Sequence, residues 1–543
     1  MMLSSRAMLR CYLGAGLLLM IAGWWFWAGS DPRTRWLAFN SLRLALGTAA
    51  LSLPLGILLA LFVERTDLPG RQAARLLLVA MLLVPLFLQA AAWDAGFGRL
   101  GWYTISADLD RPPLHSWLGA IWIHGMAAIP WVTLIVGIGL RLVEAELEDQ
   151  ALLDGAPLAV CLKLTLPRTA SAVAVAGCWI LVTTTGEMTV TDLLGVRTYA
   201  EEIYTGFALG GTLAEASRAV GPAVALVACL LALTLLAVVG LPSPDSWVSP
   251  RAVRVFSLVR WRWPAGLAIW SLLLVVIGLP IANLCYKAGA TTSWTQGSAA
   301  HHWSVVRLIG VIVQTPVKYS RDFGWTLAIS GAATVGCLLL AMPLAWFARR
   351  GGWRSLPGLL VAAAAMVVPG PLIGMWTIWC VDRIEVPLVF WLYDQTILAP
   401  VVCLVVRCLP VALLLTWIHV QAIPTCLIDQ AILEGTNRWQ MFWHLVVWPN
   451  REGFGVATSV TFAIGMGDLA STILVLPPGM TTVAFRVFDL VHYGVRYELA
   501  GLGLTSGLLF VTTGLVARKL MVWQRLRWRR DETYGPSTGR LGA

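Results

Sequence analysis

Long apolar segments alternate with short polar ones along the whole chain, and this pattern predicts membrane-spanning helices. An apolar segment of about 18–25 residues is long enough for a helix to cross about 30 Å of hydrocarbon. No polar stretch is long enough for a separate soluble domain, and the longest spans residues 287–321. We therefore predict an all-α membrane protein with about twelve transmembrane helices. The apolar segments are residues 11–29, 44–63, 76–97, 117–140, 169–192, 219–241, 265–286, 324–347, 357–380, 398–419, 453–476 and 499–517.

The composition supports the bilayer as the solvent. Hydrophobic residues make up 58% of the chain and charged residues only 13%, with a mean hydropathy of +0.75. A soluble domain with so few charges could not cover its surface with polar groups. The ten cysteines are mostly isolated in apolar segments and form no Cys-x-x-Cys pair, which is typical of buried small apolar side chains.

The basic residues are unevenly distributed between the polar stretches. If the N-terminus is cytoplasmic, the cytoplasmic stretches hold 24 of the 39 Lys and Arg. This bias fits the positive-inside rule and predicts that both termini are cytoplasmic. The first apolar segment is read as an uncleaved helix. The basic run that begins at Arg525 favours the lipid surface as its partner and not nucleic acid, despite a net charge of +10.

A short polar motif occurs twice. Asp149–Gly155 reads DQALLDG, and Asp429–Gly435 reads DQAILEG, 280 positions later (435 − 155 = 280). Each copy lies in a polar loop between apolar segments. We call residues 141–168 the first polar loop and residues 420–452 the second polar loop.

The repetition extends beyond these loops and predicts a duplicated unit. An even number of predicted helices separates the copies, so the two units should have parallel topology. The predicted domains are residues 1–241, a basic cytoplasmic linker at 242–264, and residues 265–543. The further matches are Ala45–Ala50 with Ala328–Ala333 (offset 283), Val84-Pro85 with Val368-Pro369 (284), Pro130 with Pro410 (280), and Gly186-Glu187 with Gly467-Asp468 (281).

Each polar loop is predicted to form a short helix followed by a second turn. In the first loop, acidic residues at the helix start suit the positive end of the helix, and Gly155 at its finish can adopt the left-handed C-cap conformation. In the second loop, Trp439, Phe442 and Trp443 recur at helical spacing, which is typical of an apolar stripe that meets a partner or the membrane. The alternative is that both loops are ordinary helix–turn–helix connectors.

The two loops resemble the cytoplasmic coupling loop of binding-protein-dependent ABC importer permeases, written Glu-Ala-Ala-x3-Gly followed by Leu-Pro. This chain departs from that motif at its first two positions in both copies, and the second copy has Trp448 in place of the leucine. The glycine-to-proline spacing is 12 residues in the first copy and 14 in the second (167 − 155, 449 − 435). The resemblance implies that the ATPase-coupling residues are Asp149, Gln150, Ala151, Gly155, Leu166 and Pro167 in the first loop, and Asp429, Gln430, Ala431, Gly435, Trp439 and Pro449 in the second.

Two further segments, Arg65–Arg71 and Val368–Gly374, resemble parts of the fused iron(III)-type permeases, in which two units share one chain. The resemblance implies a transport subunit of a bacterial plasma (inner) membrane with no cofactor or catalytic site. Its implied partners are two ABC ATPase subunits and an external substrate-binding protein. Iron(III) is the implied solute, and thiamine, polyamine and phosphonate are the alternatives. The chain has no Gly-x4-Gly-Lys-Ser/Thr phosphate loop, and none of its four lysines follows a glycine.

Several ionisable residues lie within or beside apolar segments. Glu187 and Asp468 are placed near the extracellular ends of equivalent helices, where they could line the translocation path or form local hydrogen bonds. Arg407 is expected to pair with a carbonyl or an acidic group between helices rather than with the solute. His301 and His302 could contact a metal or a docked binding protein, but a solvated loop is favoured.

Two other functions remain open. A proton-coupled transporter of the major facilitator type also has six plus six helices, and Asp67–Arg71 partly matches its Asp-Arg-x-Gly-Arg motif. That function does not require a matched pair of polar loops. A polytopic membrane enzyme, such as a glycosyl or lipid transferase, would need clustered carboxylates or histidines at an interface, and the sequence contains no such cluster.

Overall fold

The computed structural model describes residues 32–155, 157–217, 221, 254–295, 298–349, 356–421, 423–493 and 496–533. Three predicted regions lie wholly or largely outside the described residues. They are the apolar segment 11–29, the apolar segment 219–241 except for one residue, and most of the linker 242–264. Below, the first half denotes residues 32–217 and the second half denotes residues 320–533.

Helices dominate both halves, because a helix satisfies its backbone hydrogen bonds internally, as an apolar solvent requires. The α-helices up to residue 208 are α1 (Pro32–Arg65), α2 (Arg71–Leu82), α3 (Leu86–Phe97), α4 (Trp102–Ser106), α5 (Ser116–Arg141), α6 (Ala145–Asp154), α7 (Pro157–Val160), α8 (Leu166–Arg168), α9 (Ala170–Thr185), α10 (Thr189–Leu193) and α11 (Tyr199–Ala208). A π-helical segment, Cys161–Thr165, joins α7 to α8.

The α-helices after the linker are α12 (Arg262–Leu273), α13 (Leu279–Gly289), α14 (Val305–Lys318), α15 (Ser320–Ala348), α16 (Leu356–Val367), α17 (Gly370–Ile384), α18 (Pro387–Gln395), α19 (Leu398–Gln421), α20 (Thr425–Leu433), α21 (Arg438–Met441), α22 (Arg451–Met466), α23 (Val483–Tyr493) and α24 (Arg496–Thr533). A 3-10 turn at Val259–Trp261 precedes α12, and π-helical segments occupy Leu274–Gly278 and Phe442–Val447. The described strands, β1 (Ala290–Thr295) and β2 (Ser298–Trp303), pair as an antiparallel hairpin.

The described chain is a multi-pass, all-α membrane protein apart from that hairpin. Six helices are long and apolar enough to cross a membrane, and the number rises to nine if each of three bent helix pairs is one span. The ten predicted apolar segments in the described part match these nine spans and one shorter apolar helix, Gly453–Met466. The predicted segment 453–476 is thus too long, because α22 ends at Met466 and turns follow it.

Two of the three bends lie at equivalent prolines. The helix pair around Pro85 bends by 102° and the pair around Pro369 by 108°. Each proline precedes a new helix in an extended conformation, with ψ of 150° and 143°. Proline lacks the N–H that would continue the first helix, so the chain turns there. At the first bend, the Gln89 side-chain amide donates to the Val84 carbonyl at 2.9 Å and satisfies an acceptor freed by the break.

The long helices of the two halves pack in the same way. α1 packs along α5, and α15 packs along α19. The buried positions of α1 and α15 coincide at an offset of 285, as for Ser41 and Thr326 (326 − 41 = 285). Those of α5 and α19 coincide at 280, as for Pro130 and Pro410. The structure therefore corrects the sequence alignment of the first helix pair, 283, by two residues.

A repeated hydrogen bond supports the corrected alignment. The backbone N–H of Tyr199 donates to the Ser41 hydroxyl at 3.2 Å, and that of Val483 donates to the Thr326 hydroxyl at 2.8 Å. These bonds fix the starts of α11 and α23 against the N-terminal parts of α1 and α15. The two short helices therefore occupy equivalent places in the two halves.

The halves also interlock. Phe87 and Leu88 of α3 share one apolar core with Val483 and Val487 of α23. Met375 of α17 packs in the same core as Ile203 of α11. Each of the two short helices α11 and α23 therefore contacts the helix after the proline bend of the opposite half.

Candidate functional site

The first polar loop presents a short helix whose tip is exposed. Asp149 and Gln150 are exposed on α6, and Ala151 is half-buried. Leu153 is 85% exposed, although it is a large apolar side chain. Gly155 follows in an extended conformation with φ −143° and ψ 155°. The expected left-handed C-cap is therefore absent at Gly155, because the chain straightens into α7 there.

A buried ion pair anchors this loop to the end of α1. The Arg65 guanidinium donates to the Glu148 carboxylate at 2.8 Å, and their side chains are 1% and 0% exposed. The Thr165 hydroxyl donates to the other Glu148 oxygen at 2.6 Å. Arg65 also donates to the Leu140 carbonyl at the end of α5. One arginine thus joins α1, α5, α6 and the π-helical segment, so α6 should move with the membrane helices.

Glu64 reinforces the same junction from the adjacent position. Its carboxylate accepts hydrogen bonds from Arg75 of α2 at 2.8 Å and from Arg141 of α5 at 2.7 Å. The Glu64 side chain is nearly buried, so these charges attract each other more strongly than they would in water. Hydrogen bonds to Glu64 therefore join α1, α2 and α5 beside the first polar loop.

The described end of the linker contacts the first polar loop and the turn that follows α1. The Phe256 N–H donates to the Arg65 carbonyl at 2.7 Å, and the Leu258 N–H donates to the Asp67 carboxylate at 2.8 Å. Arg254 pairs with Asp149 at 3.1 Å. Arg254 of the linker thus contacts Asp149, one of the predicted coupling residues.

The second polar loop has the same order of elements. Leu433 at the end of α20 is 88% exposed and lies 280 positions after Leu153 (433 − 153 = 280). Asp429 and Gln430 are exposed, whereas Ala431 is buried at 9%.

The helix α20 ends in a left-handed glycine. Gly435 has φ +75°, the conformation that favours glycine. The Thr436 hydroxyl caps the helix by donating to the Ala431 carbonyl at 2.6 Å.

The aromatic residues of the second loop form one exposed cluster. The Trp439 and Phe442 rings stack at 6.0 Å, and Trp443 meets both rings at 5.9 Å. Trp439 is 66% exposed. The predicted apolar stripe therefore exists and remains open to a partner or lipid.

The family prolines occupy different local structures in the two loops. Leu166 and Pro167 begin the short helix α8, directly after the π-helical segment. Pro449 follows the exposed Trp448 in a turn before α22. The π-helical segment has five residues in the first loop and six in the second, which contributes to the unequal glycine-to-proline spacing.

The second loop is anchored without a buried carboxylate. Arg349 donates to the Val420 carbonyl at 3.1 Å and also to the Ile423 carbonyl. Ile428 takes the place of Glu148 and packs in an apolar core with Val446. Both loops are thus held by an arginine at the end of the preceding long helix, but only the first by a buried ion pair.

Glu187 and Asp468 lie in the turns that follow α9 and α22, and both carboxylates have local hydrogen bonds. Glu187 accepts the backbone N–H groups of Thr189 at 2.6 Å and Val190 at 3.1 Å. Asp468 accepts the N–H and the hydroxyl of Ser471, the former at 3.1 Å. The geometry agrees with the local hydrogen-bond interpretation of these two residues.

Each of these carboxylates also faces a basic residue on the neighbouring long helix. His124 of α5 lies 3.6 Å from Glu187, and Arg407 of α19 lies 3.6 Å from Asp468. Arg407 thus has the interhelical acidic partner that the sequence predicted.

His301 and His302 are placed in β2, away from both loops. Their backbones face Thr292 and Thr291 in the antiparallel register.

The sequence pattern does not single out Arg65, Thr165, Arg254, Leu153 and Leu433 as functional candidates. One signal exists for the arginine anchors, because an arginine recurs at the end of the equivalent helix as Arg349. The sequence does not distinguish Leu153 and Leu433 from other leucines, since leucine is common in every apolar segment.

Comparisons with known proteins do not indicate a function, so the functional argument rests on the sequence and on the geometry of the two loops. No family model matches this chain, and no curated protein is significantly similar to it.

Proposed function

We propose that this protein is the transmembrane permease of an ATP-binding-cassette importer. In this proposal, residues 1–241 and 265–543 form two parallel six-helix units, and residues 242–264 link them. The polar loops receive two separate ATPase subunits on the cytoplasmic side of a bacterial inner membrane. An external binding protein delivers the solute to the opposite side.

One observation carries the proposal. Leu153 and Leu433 occupy equivalent positions, are 85% and 88% exposed, and stand at the tips of the two polar loops. The bases of these loops are tied to the long helices by Arg65 and Arg349. Exposed apolar side chains on rigidly anchored helices are suited to fill grooves on a partner and transmit its movement.

The loop geometry favours this function over the major facilitator alternative. The Asp67 carboxylate accepts a backbone hydrogen bond from Leu258 and so holds the end of the linker. ATP-driven transport would stop on ATP depletion and survive collapse of the proton gradient. Proton-coupled transport would show the reverse.

Iron(III) is the solute that we propose to test first, and thiamine, polyamine and phosphonate are the alternatives. Glu187 and Asp468 are engaged by backbone N–H groups and by basic side chains. We therefore assign solute selection to the external binding protein and not to these carboxylates. Solute-dependent stimulation of ATPase activity in the assembled complex identifies the solute.

Copurification with the ATPase subunits tests the docking surface. Replacing Leu153 or Leu433 with Glu places a charge in the proposed contact, so each variant should bind the ATPase at least tenfold more weakly, a loss of about 1.4 kcal/mol. Leu209→Glu is the matched control, because Leu209 is 88% exposed but lies at the end of α11. Unchanged binding of both loop variants would refute the proposal.

A further inference from the structure

An ion pair joins the two halves. His492 of α23 lies with its Nε2 atom 3.1 Å from the Asp192 carboxylate of α10. The two side chains are 42% and 21% exposed. The His492 ring also packs against Phe488, with centroids 4.4 Å apart and ring planes tilted by 50°.

The hydrogen-bond pattern identifies the protonation state that this contact requires. The Nδ1 atom of His492 lies 2.8 Å from the Phe488 carbonyl oxygen, while Nε2 faces the carboxylate. A carbonyl and an ionised carboxylate can only accept. Both ring nitrogens must therefore donate, and only the protonated imidazolium has two N–H groups. Loss of its proton would remove one of the two bonds.

The ion pair lies close to the axis that relates the two halves. The helices α11 and α23 start 284 positions apart (483 − 199 = 284). The Tyr204 and Phe488 rings, also 284 positions apart, meet edge to face at 6.4 Å. Equivalent residues can touch each other only near the axis of a two-fold relation. The aromatic pair therefore marks the place where the halves meet.

This meeting place lies at the end of the pore remote from the polar loops. α9 and α22 each start beside a polar loop and have 16 residues. A helix of that length spans about 24 Å. Asp192 lies on α10, which follows α9, and His492 lies on α23, which follows α22, so the pair lies beyond the helix ends that are remote from the polar loops.

We propose that His492 and Asp192 form a proton-dependent latch that keeps the outer end of the pore closed. This inference rests on the proposed function, in which rocking of the two halves opens that end. The latch closes when His492 is protonated. Loss of the proton weakens the contact between α10 and α23 and frees the halves to separate.

The surrounding charges favour the protonated state. The hydrogen bond to Asp192 raises the pKa of His492 above its ordinary value of 6.5, and Asp489 on the same helix acts in the same direction. Arg486 of α23 is engaged by Asp322 of α15, and Glu498 of α24 by Lys318. Because the pKa is raised, the latch is fully closed below the ordinary value and opens as the pH rises through the raised value.

The distance between the halves can be measured without ATPase. Spin labels at Leu209→Cys and Tyr497→Cys, on the otherwise cysteine-free full chain in lipid nanodiscs, report the separation of α11 from α24. Exposed ion pairs shift an equilibrium by about threefold to fivefold, so the separated population should grow by that factor between about pH 5.5 and about pH 8.5.

Three variants make the test specific. His492→Gln should abolish the pH response, and the exchange Asp192→His with His492→Asp should restore it. His115→Gln is the matched control, since His115 is exposed and bonds only its own loop at the Pro112 carbonyl. An unchanged pH response in His492→Gln, or no response in the native sequence, would overturn the latch.

A parallel uptake assay separates the two proposals. In the assembled complex, ATP-driven uptake should be about threefold to fivefold slower at acidic external pH, and His492→Gln should remove that difference. A pH-dependent distance without any ATP-driven uptake would refute the importer function and leave the latch intact. ATP-driven uptake with a pH-independent distance would refute the latch alone.

Discussion

At the residue scale, the candidate site depends on a few buried polar groups. The Arg65–Glu148 ion pair is the clearest case, because both side chains are buried and their charges face each other at 2.8 Å. Taking two charges out of water is costly, and removing only one of them leaves the other buried and unpaired. The pair therefore fixes α6 at one position relative to α1.

Replacing Glu148 with Ala should lower the free energy of unfolding by about 3–5 kcal/mol, the usual cost of breaking a buried pair. Thermal unfolding of the purified protein in detergent measures the effect. Glu146→Ala is the matched control, since Glu146 is exposed on the same helix. Equal unfolding temperatures for the two variants would show that the anchor does not hold the loop.

The two loop glycines should respond differently to substitution, although the sequence presents them as equivalent. Gly435 has φ +75°, so Gly435→Ala should strain the loop by about 1–2 kcal/mol and weaken ATPase binding by about tenfold. Gly155 is extended, so Gly155→Ala should have a smaller effect.

Gly435→Asn provides the control, because asparagine tolerates the left-handed conformation better than alanine does. Affinity measurements with the purified ATPase compare the variants. Equal losses for Gly155→Ala and Gly435→Ala would contradict the conformational argument.

At the element scale, the helix pairs α1–α5 and α15–α19 pack through an equivalent contact between a glycine and a larger apolar residue. The glycine lies on the second helix of the first pair but on the first helix of the second pair. A Cβ atom at Gly125 would come within 2.5 Å of the Leu51 side chain. In the second half, a Cβ atom at Gly336 would come within 2.9 Å of Val405. The positions correspond at the offsets 285 and 280 of the burial pattern (336 − 51, 405 − 125).

Gly125→Val alone should overpack the α1–α5 contact and cost about 1–3 kcal/mol of stability. Adding Leu51→Ala should recover most of that loss, because the pair then resembles the arrangement in the second half. Unfolding temperatures of the single and double variants test this, with Leu51→Ala alone as the reference. A double variant that is no more stable than Gly125→Val would contradict the matched packing.

The helices were largely predictable from the sequence, but their shapes were not. A run of apolar residues from 76 to 97 predicts a span, and its composition is the same whether the helix is straight or bent at Pro85. The alignment of Ala45 with Ala328 failed because alanine and glycine recur throughout α1 and α15, so identity alone does not set the register. Burial sets it, and burial depends on the partner helix.

The candidate site was predictable only in part. Gly155, for which a left-handed cap was predicted, is extended where the chain passes into α7, whereas Gly435 adopts that conformation at the end of α20. The ion pair between Arg65 and Glu148 joins residues 83 positions apart, which no local pattern reveals. Glu187 and Asp468 were correctly singled out as polar positions, and their hydrogen bonds became visible only in three dimensions.

At the scale of the whole molecule, different features lie at the two ends of the long helices. The polar loops stand at one end, each with an exposed leucine on an anchored base. The Tyr204–Phe488 contact and the His492–Asp192 pair hold the halves together at the other end. In the proposed function, movement of the loops would therefore separate the two halves or bring them together at the opposite end.

The most direct test of this account labels Leu153→Cys and Leu433→Cys with a membrane-impermeant maleimide. The account predicts labelling of both sites in inside-out vesicles, none in right-side-out vesicles, and protection of both sites when the ATPase subunits bind. Labelling of either site from the outside, or labelling that bound ATPase leaves unchanged, would contradict the central claim.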